Sequence, residues 1–256
     1  MYWLQFHWKE RDRKRMRGLT DIHNHILPMV DDGASSVVEA LKMIKRQEKD
    51  GVKNIILTPH YRKGMFEVSS EEVEWKFYKF REFVERKGFG VNLYLGRECY
   101  GDTELVKSLL ANPTFQMNGT KYVLVEFSHY YEFQKIRNSV YELVSEGYNP
   151  ILAHIERYAC LTKNDEYIEE LTDMGAYMQV NAGTLLGKMG IIQKCMCKRW
   201  LQERRIHFIA SDAHDLQKRK PNLLECKKYV EKKVGVEYAN EIFVENPQLI
   251  LEGNRR

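Results

Sequence analysis

Histidines and carboxylates recur along this chain in short clusters whose spacing suits divalent metal. One residue separates His23 from His25, and Asp31-Asp32-Gly33 follows closely. Further on come His60, Glu98, Glu126 and His154, and finally Asp212 and His214. Side chains of an extended segment alternate with period two, so both imidazoles of His-x-His share one face and can grip one cation. Mixed imidazole and carboxylate donors suit zinc, manganese or iron better than calcium, which takes oxygen alone. The set exceeds what one ion takes, which implies two or three ions. Clustered ions of this kind lower the pKa of bound water toward neutrality and hold both ends of a phosphoryl transfer.

These residues follow a series of short apolar runs rich in branched and aromatic side chains, the pattern of buried parallel strands. The candidate strands are Leu19 to Ile22, Asn54 to Thr58, Val91 to Leu95, Tyr122 to Val125, Pro150 to Ala153, Ala176 to Val180 and His207 to Ala210. Amphipathic stretches between them predict helices at Ser35 to Asp50, Ser70 to Lys87, Thr103 to Leu110, Glu132 to Glu146, Asp165 to Met174 and Ile191 to Arg204. Gly51, Gly147 and Gly175 stand where helix C-termini want glycine. From Pro221 onward the chain reads as helix, with a last one opening at Asn246. The alternation predicts an α/β fold, a distorted TIM-like barrel of seven βα units.

In such a barrel the strand C-termini converge on one mouth. Six of the seven predicted strands would deliver a metal-type ligand there, and only Ala176 to Val180 would not. A lone histidine near a strand end is ordinarily a hydrogen-bonded core or loop residue, and a lone Glu126 could pair with a buried arginine. Their coincidence across strands reverses that expectation. Arg157 follows His154 by three residues and Arg219 follows His214 by five, so both should overhang the mouth. Guanidinium forks bind phosphate oxygens bidentately, although either arginine taken singly could be a surface salt bridge. Arg62 and Lys63 add cations beside Met65 and Phe66, which suits an anionic aromatic substrate as well as it suits a solvated loop. His129, just past Glu126, is a further candidate for substrate contact; His207, opening a strand, is expected to be structural.

Composition narrows the classes. A chain of 256 residues with 43% hydrophobic residues fits one large globular domain, read here as residues 18–256. Its net charge of +4 is mixed and demands no nucleic acid. Residues 1–17 start aromatic and turn basic, the reverse of a secretory signal, and are expected to form a flexible tail. No apolar run approaches the roughly 18 residues needed to span a bilayer. The five cysteines are scattered, as reduced thiols of a cytoplasmic protein would be. None has an arginine six positions later, so the thiolate loop of a cysteine-based tyrosine phosphatase is absent.

The segments DIHNHILPMVDDG, TPHYRKGMF, GRECY, YVLVEF, ILAHIERY and IASDAHDLQKRKP resemble, in order, the motifs of the PHP (polymerase and histidinol phosphatase) family. More narrowly they resemble its manganese-dependent tyrosine-protein phosphatases from capsule and exopolysaccharide loci of Gram-positive bacteria. The resemblance spans about residues 19–252 and departs from the family in the long segment before the first strand. It implies the PHP fold and three metal sites. The first would be His23, His25, Glu98 and Asp212; the second Glu98, Glu126 and His154; the third Asp32, His60 and His214. It further implies manganese, with iron or zinc acceptable to the same donors, and phosphate-holding roles for Arg157 and Arg219. The implied substrate is the phosphorylated C-terminal tail of a bacterial tyrosine kinase, with membrane association only through that kinase. Two other readings stay open: a histidinol-phosphate or other small phosphomonoester phosphatase, and a non-catalytic phosphotyrosine-binding regulator.

Overall fold

A computed structural model describes residues 17–253. Apart from Arg17, which bonds Glu245 at 3.1 Å, the basic tail lies outside the described residues. The strands are β1 (Thr20–Asp21), β2 (Asn54–Leu57), β3 (His60–Tyr61), β4 (Asn92–Leu95), β5 (Glu98–Tyr100), β6 (Tyr122–Glu126), β7 (Asn149–Leu152), β8 (Tyr177–Asn181) and β9 (Phe208–Ala210). All pairings between these strands are parallel. One sheet runs β1-β2-β4, the other β3-β5-β6-β7-β8-β9. β3 resumes the course of β2 beyond Thr58-Pro59, and β5 that of β4 beyond Gly96-Arg97. The two sheets are therefore successive levels of one curled wall with seven strand positions. A parallel bridge between Asn24 and Ala213 joins the first position to the last, with Asp212 N donating to His23 O at 2.9 Å and His25 N to Ala213 O at 2.8 Å. This is the predicted distorted seven-stranded barrel, with one correction. Strands two and three do not stop before His60 and Glu98; they break and restart on them, because Pro59 offers no amide hydrogen to continue the ladder.

All six predicted helices form. α1 (Val37–Lys49) starts on Ser36, whose hydroxyl accepts from Glu39 N, and buries Ala40, Met43, Ile44 and Gln47 at helical spacing. α2 (Ser70–Arg86) starts likewise on Ser69 and buries Val73, Phe77, Phe80 and Val84. α3 (Leu105–Ala111), α4 (Phe133–Ser145), α5 (Ala159–Lys163), α6 (Glu166–Asp173), α7 (Ala182–Leu185) and α8 (Ile191–Gln202) complete the outer layer, α5 and α7 being short turns without a sequence signal. The C-terminal region is α9 (Leu223–Val234), α10 (Val236–Asn240), a π-turn (Glu241–Glu245) and α11 (Asn246–Glu252).

Strand alternation sorts the apolar side chains into two cores. Outward residues such as Ile55, Leu57, Val123, Val125, Met178 and Val180 pack under the helices. Inward residues Ile22, Ile56, Tyr122, Leu124, Ile151, Ala153, Phe208 and Ala210 fill the barrel, together with Met117 and with Ile250 and Leu251 of α11. Burial of each large aliphatic side chain stabilises the fold by about 1.5–3 kcal/mol. The barrel interior is thus a solid floor, and polar side chains gather above it.

Candidate metal centre

The inward phase of each strand, continued past the floor, selects most of the polar cluster. On β6 it runs Tyr122, Leu124, Glu126; on β9 it runs Phe208, Ala210 and then Asp212. On β7 the same alternation would send His154 outward with Leu152. Instead His154 adopts φ +36°, and Asp212 adopts φ +50°. Left-handed backbone at non-glycine residues costs on the order of 1 kcal/mol or more and concentrates at functional sites. Tyr158 braces this rim, its hydroxyl donating to Ala153 O at 2.7 Å and accepting from Phe127 N at 3.0 Å. Gly33 is required by close approach, since a Cβ there would lie 2.0 Å from His25 O.

Glu98 occupies the centre. Its Oε2 lies 3.1 Å from His23 Nε2, 3.2 Å from His25 Nε2 and 3.0 Å from His60 Nδ1, while Oε1 lies 2.9 Å from His154 Nε2. Glu126 approaches His60 Nδ1 at 3.6 Å and His154 Nε2 at 3.8 Å. Asp212 Oδ1 is 3.6 Å from both His23 and His25 and 3.5 Å from His214. Asp32, half-exposed at the mouth, lies 3.6 Å from His60 Nε2 and 3.5 Å from His214 Nε2. All nine predicted ligands are therefore brought together. Their donor atoms fall into three groups: His25, Asp32, His60 and His214; His23, His25 and Asp212; and His60, Glu98 and Glu126. Relative to the partition implied by resemblance, His25 and His60 each stand between two groups, and His154 sits at the edge of the third.

These donors fit metal better than they fit one another. Glu98 Oε2, His60 Nδ1 and His214 Nε2 are buried without a hydrogen bond, although imidazoles and carboxylates lie within 3.0–3.6 Å. Lone pairs converge there with no proton aligned between them. The far sides of the rings are tied down. His25 Nδ1 contacts Asp31 Oδ2 at 2.6 Å, His23 Nδ1 contacts Gln179 Oε1 at 3.2 Å, and His214 Nδ1 contacts Asp212 O at 3.0 Å. A donor–acceptor bond at one ring nitrogen fixes the tautomer and frees the other for a cation.

Electrostatics agree. Burial lowers His60 and His154 to about 4. Burial also lowers His25, yet the Asp31 carboxylate outweighs it and raises the ring to about 10, a proton that metal must displace. Burial would raise Glu98, but the His23 and His60 rings prevail and hold it well below the usual carboxylate range. Glu126, lifted by burial and by Glu98 beside it, rises to about 8. A Glu126 carboxyl that resists ionisation beside His60 and His154 rings that resist protonation marks a site short of positive charge on that side.

Both predicted arginines reach the cluster. Arg157 Nη2 donates to Asp212 Oδ2 at 2.9 Å, and Arg219 Nη2 donates to Asp212 Oδ1 and Oδ2, each at 2.8 Å. Asp215 folds the Arg219 loop, its Oδ1 accepting from Gln217 N at 2.5 Å and Lys218 N at 2.7 Å. The other cations divide. Arg62 lies 4.1 Å over the Tyr100 ring on the Glu126 side of the mouth, whereas Lys63 is exposed at the loop tip and no described contact joins it to the cluster. Phe66 stacks on His60 at 5.0 Å. His129 lies beside Arg157 and lines a cleft next to the centre, not the centre itself. His207 is structural, accepting from Met178 N at 3.0 Å.

Sequence reasoning passed over three supporting residues. Gln179 and Asn181 take the inward phase of β8: Gln179 accepts from His154 N at 2.8 Å, and Asn181 donates to Asp212 Oδ2 at 2.6 Å. Period two counted from Tyr177 would have found them. Asp31 also accepts from His60 N at 2.9 Å, so one carboxylate sets two ligands. Replacing Asp31 by Asn should weaken metal affinity by about 10–100-fold in chelator competition; unchanged affinity would show that His25 needs no orienting partner.

Residues 19–252 match the profile of a family described as "Capsular polysaccharide synthesis, CpsB/CapC". The chain belongs to the CpsB/CapC family. It is 33% identical over 242 residues to the tyrosine-protein phosphatase CpsB of Streptococcus agalactiae serotype V, covering 92% of this chain and 99% of that one. A solved structure from the work on YwqE of Bacillus subtilis and CpsB of Streptococcus pneumoniae, described as metal-dependent tyrosine phosphatases, superimposes with a TM-score of 0.86 at 29% identity, over 92% of this chain and 95% of that one. Histidinol phosphate phosphatase of Lactococcus lactis, solved with zinc, L-histidinol and phosphate, shares the fold at a TM-score of 0.56 and 16% identity, over 85% and 94% of the two chains. CpsB/CapC membership accounts for the order of the motifs read from the sequence.

Proposed function

We propose that this protein is a metal-dependent phosphoric monoester hydrolase acting on phosphotyrosine in proteins. The observation that carries the reading is the buried Glu98 carboxylate set among four imidazoles, with two guanidinium groups gathered on the adjacent Asp212. His23, His25, Asp32, His60, Glu98, Glu126, His154, Asp212 and His214 would hold two or three divalent ions, and we assign manganese, with iron or zinc able to occupy the same donors. Such ions supply Lewis acidity and a nucleophile at neutral pH. Arg157 and Arg219 would turn from Asp212 to the phosphate oxygens and stabilise charge as the bond to the tyrosyl oxygen breaks. Tyrosine has a pKa near 10, so its phenolate leaves without strong acid assistance. Asp31, Gln179 and Asn181 would keep the ligands oriented through the cycle. A thiol route finds no support: Cys99, Cys197 and Cys226 are buried, and burial pushes the Cys99 thiol up to about 12.

Among the described residues no helix is long and apolar enough to cross a membrane. We read residues 18–256 as one catalytic barrel working in the cytoplasm, on the phosphorylated tail of a tyrosine kinase that controls polysaccharide export. The test compares a phosphotyrosine peptide with L-histidinol phosphate on manganese-loaded protein. The peptide should be favoured by at least about 100-fold in kcat/KM. Preference for histidinol phosphate would move the protein to small-molecule chemistry, and tight peptide binding without phosphate release would make it a regulator.

A further inference from the structure

Beside the metal centre lies a cleft of about 600 Å³ whose lining includes His129, Glu156, Arg157, Met189, Ile192 and Met196. Ile192 and Met196 stand four residues apart on one face of α8, and Met189 precedes that helix. Met189 is 50% exposed and Ile192 76% exposed. Large apolar groups gathered at solvent beside a charged site mark a surface that awaits a partner.

The cleft is continuous with the centre through Arg157, which lines it while donating to Asp212. Its lining also holds unmet polar capacity. Glu156 is buried, and its Oε1 accepts from Asn181 N at 3.1 Å and Thr184 Oγ1 at 2.9 Å, but its Oε2 has no partner. Arg157 Nε is likewise unpartnered. Glu156 and Arg157 carry opposite charges, so a side chain of either sign meets one attraction and one repulsion. The exposed walls Met189 and Ile192, with Met196, decide for an apolar side chain, which removes their surface from water. Side chains on one face of an extended peptide stand two residues, about 6.6 Å, apart along the backbone. The residue two positions from a phosphotyrosine held at Arg157 therefore faces the same surface and comes beside Ile192 and Met196.

We propose that this cleft is a specificity subsite for an apolar residue two positions from the phosphotyrosine of a protein substrate, a proposal that rests on the phosphotyrosine reading above. The experiment uses the full-length, manganese-loaded protein and its Ile192→Glu and Met196→Ala variants. Substrates are free phosphotyrosine and phosphotyrosine peptides carrying Leu, Asp or Lys two positions before or after it. For one flank the parent should prefer Leu by about tenfold in kcat/KM. Ile192→Glu should bring that ratio close to one, and Met196→Ala should reduce it, while turnover of free phosphotyrosine stays within about twofold of the parent. Equal rates for all flanking residues, or a preference that survives Ile192→Glu, overturn the subsite and leave the phosphatase reading standing. No turnover of free phosphotyrosine or of any phosphotyrosine peptide by the parent overturns both. If sedimentation shows Ile192→Glu dissociating a dimer with peptide preference intact, the face joins two copies and the proposal falls.

Discussion

A Glu98→Gln protein should release phosphate from a phosphotyrosine peptide at least about 10³-fold more slowly than its parent while keeping the fold, because several kcal/mol of metal-borne charge stabilisation depend on this one carboxylate. Glutamine preserves volume but removes the negative charge that faces His23, His25 and His60 at 3.0–3.2 Å and His154 at 2.9 Å. Its two oxygens face four candidate ligands, so its loss should disturb more than one ion. The distinguishing measurement is the thermal shift on adding manganese. A ligand that binds only folded protein raises stability as RT ln(1 + [L]/Kd). The parent should gain markedly and Glu98→Gln much less, with similar melting of the two metal-free proteins and similar circular dichroism. Near-parent turnover in metal-replete Glu98→Gln would remove Glu98 from the centre.

Arg157→Lys and Arg219→Lys should each lower kcat/KM by about 10²–10³-fold, the size of effect expected when a preorganised donor to transition-state charge is lost. Lysine keeps the charge but not the planar fork, and a bidentate guanidinium site does not tolerate that exchange. The contrast with Glu98 lies in metal content. Both arginines touch Asp212 from outside the imidazole cluster, so the lysine variants should bind the parent number of ions and still turn over poorly. Parent-like turnover would reduce them to structural salt bridges, and loss of metal would make them supports of Asp212.

Much of this centre could be read before any coordinates, for a definite physical reason. Parallel barrel strands all end at one mouth, so chemistry-bearing residues after successive apolar runs must meet. His-x-His, Glu126 in phase with Tyr122 and Leu124, and Asp212 after Phe208 and Ala210 all obey period two. What was missed breaks that rule or lacks a chemical flag. The place of His154 after a strand end puts it at the mouth; what escaped is the left-handed backbone that turns it inward against the alternation. Gln179 and Asn181 keep the phase, but side-chain amides are uncommon ligands of transition metals and passed as ordinary strand residues. Pro59 marks where the ladder breaks, but that β3 and β5 resume on His60 and Glu98 depends on pairing across the wall, which no local run encodes. Lys63 stands at an exposed loop position, where adjacency to a motif does not by itself place a cation at the centre. The cleft was illegible because Arg157 and Ile192 stand far apart in sequence and only the fold makes them neighbours.

The most direct measurement strips the purified protein of metal with EDTA and restores manganese by stepwise addition, following bound ion and phosphotyrosine-peptide turnover together. The expected result is turnover at background in the stripped protein, rising as two or three equivalents bind and levelling when the sites are full. Full turnover by metal-free protein, or saturation with ion and no phosphate released, would contradict a metal-dependent phosphatase built on Glu98.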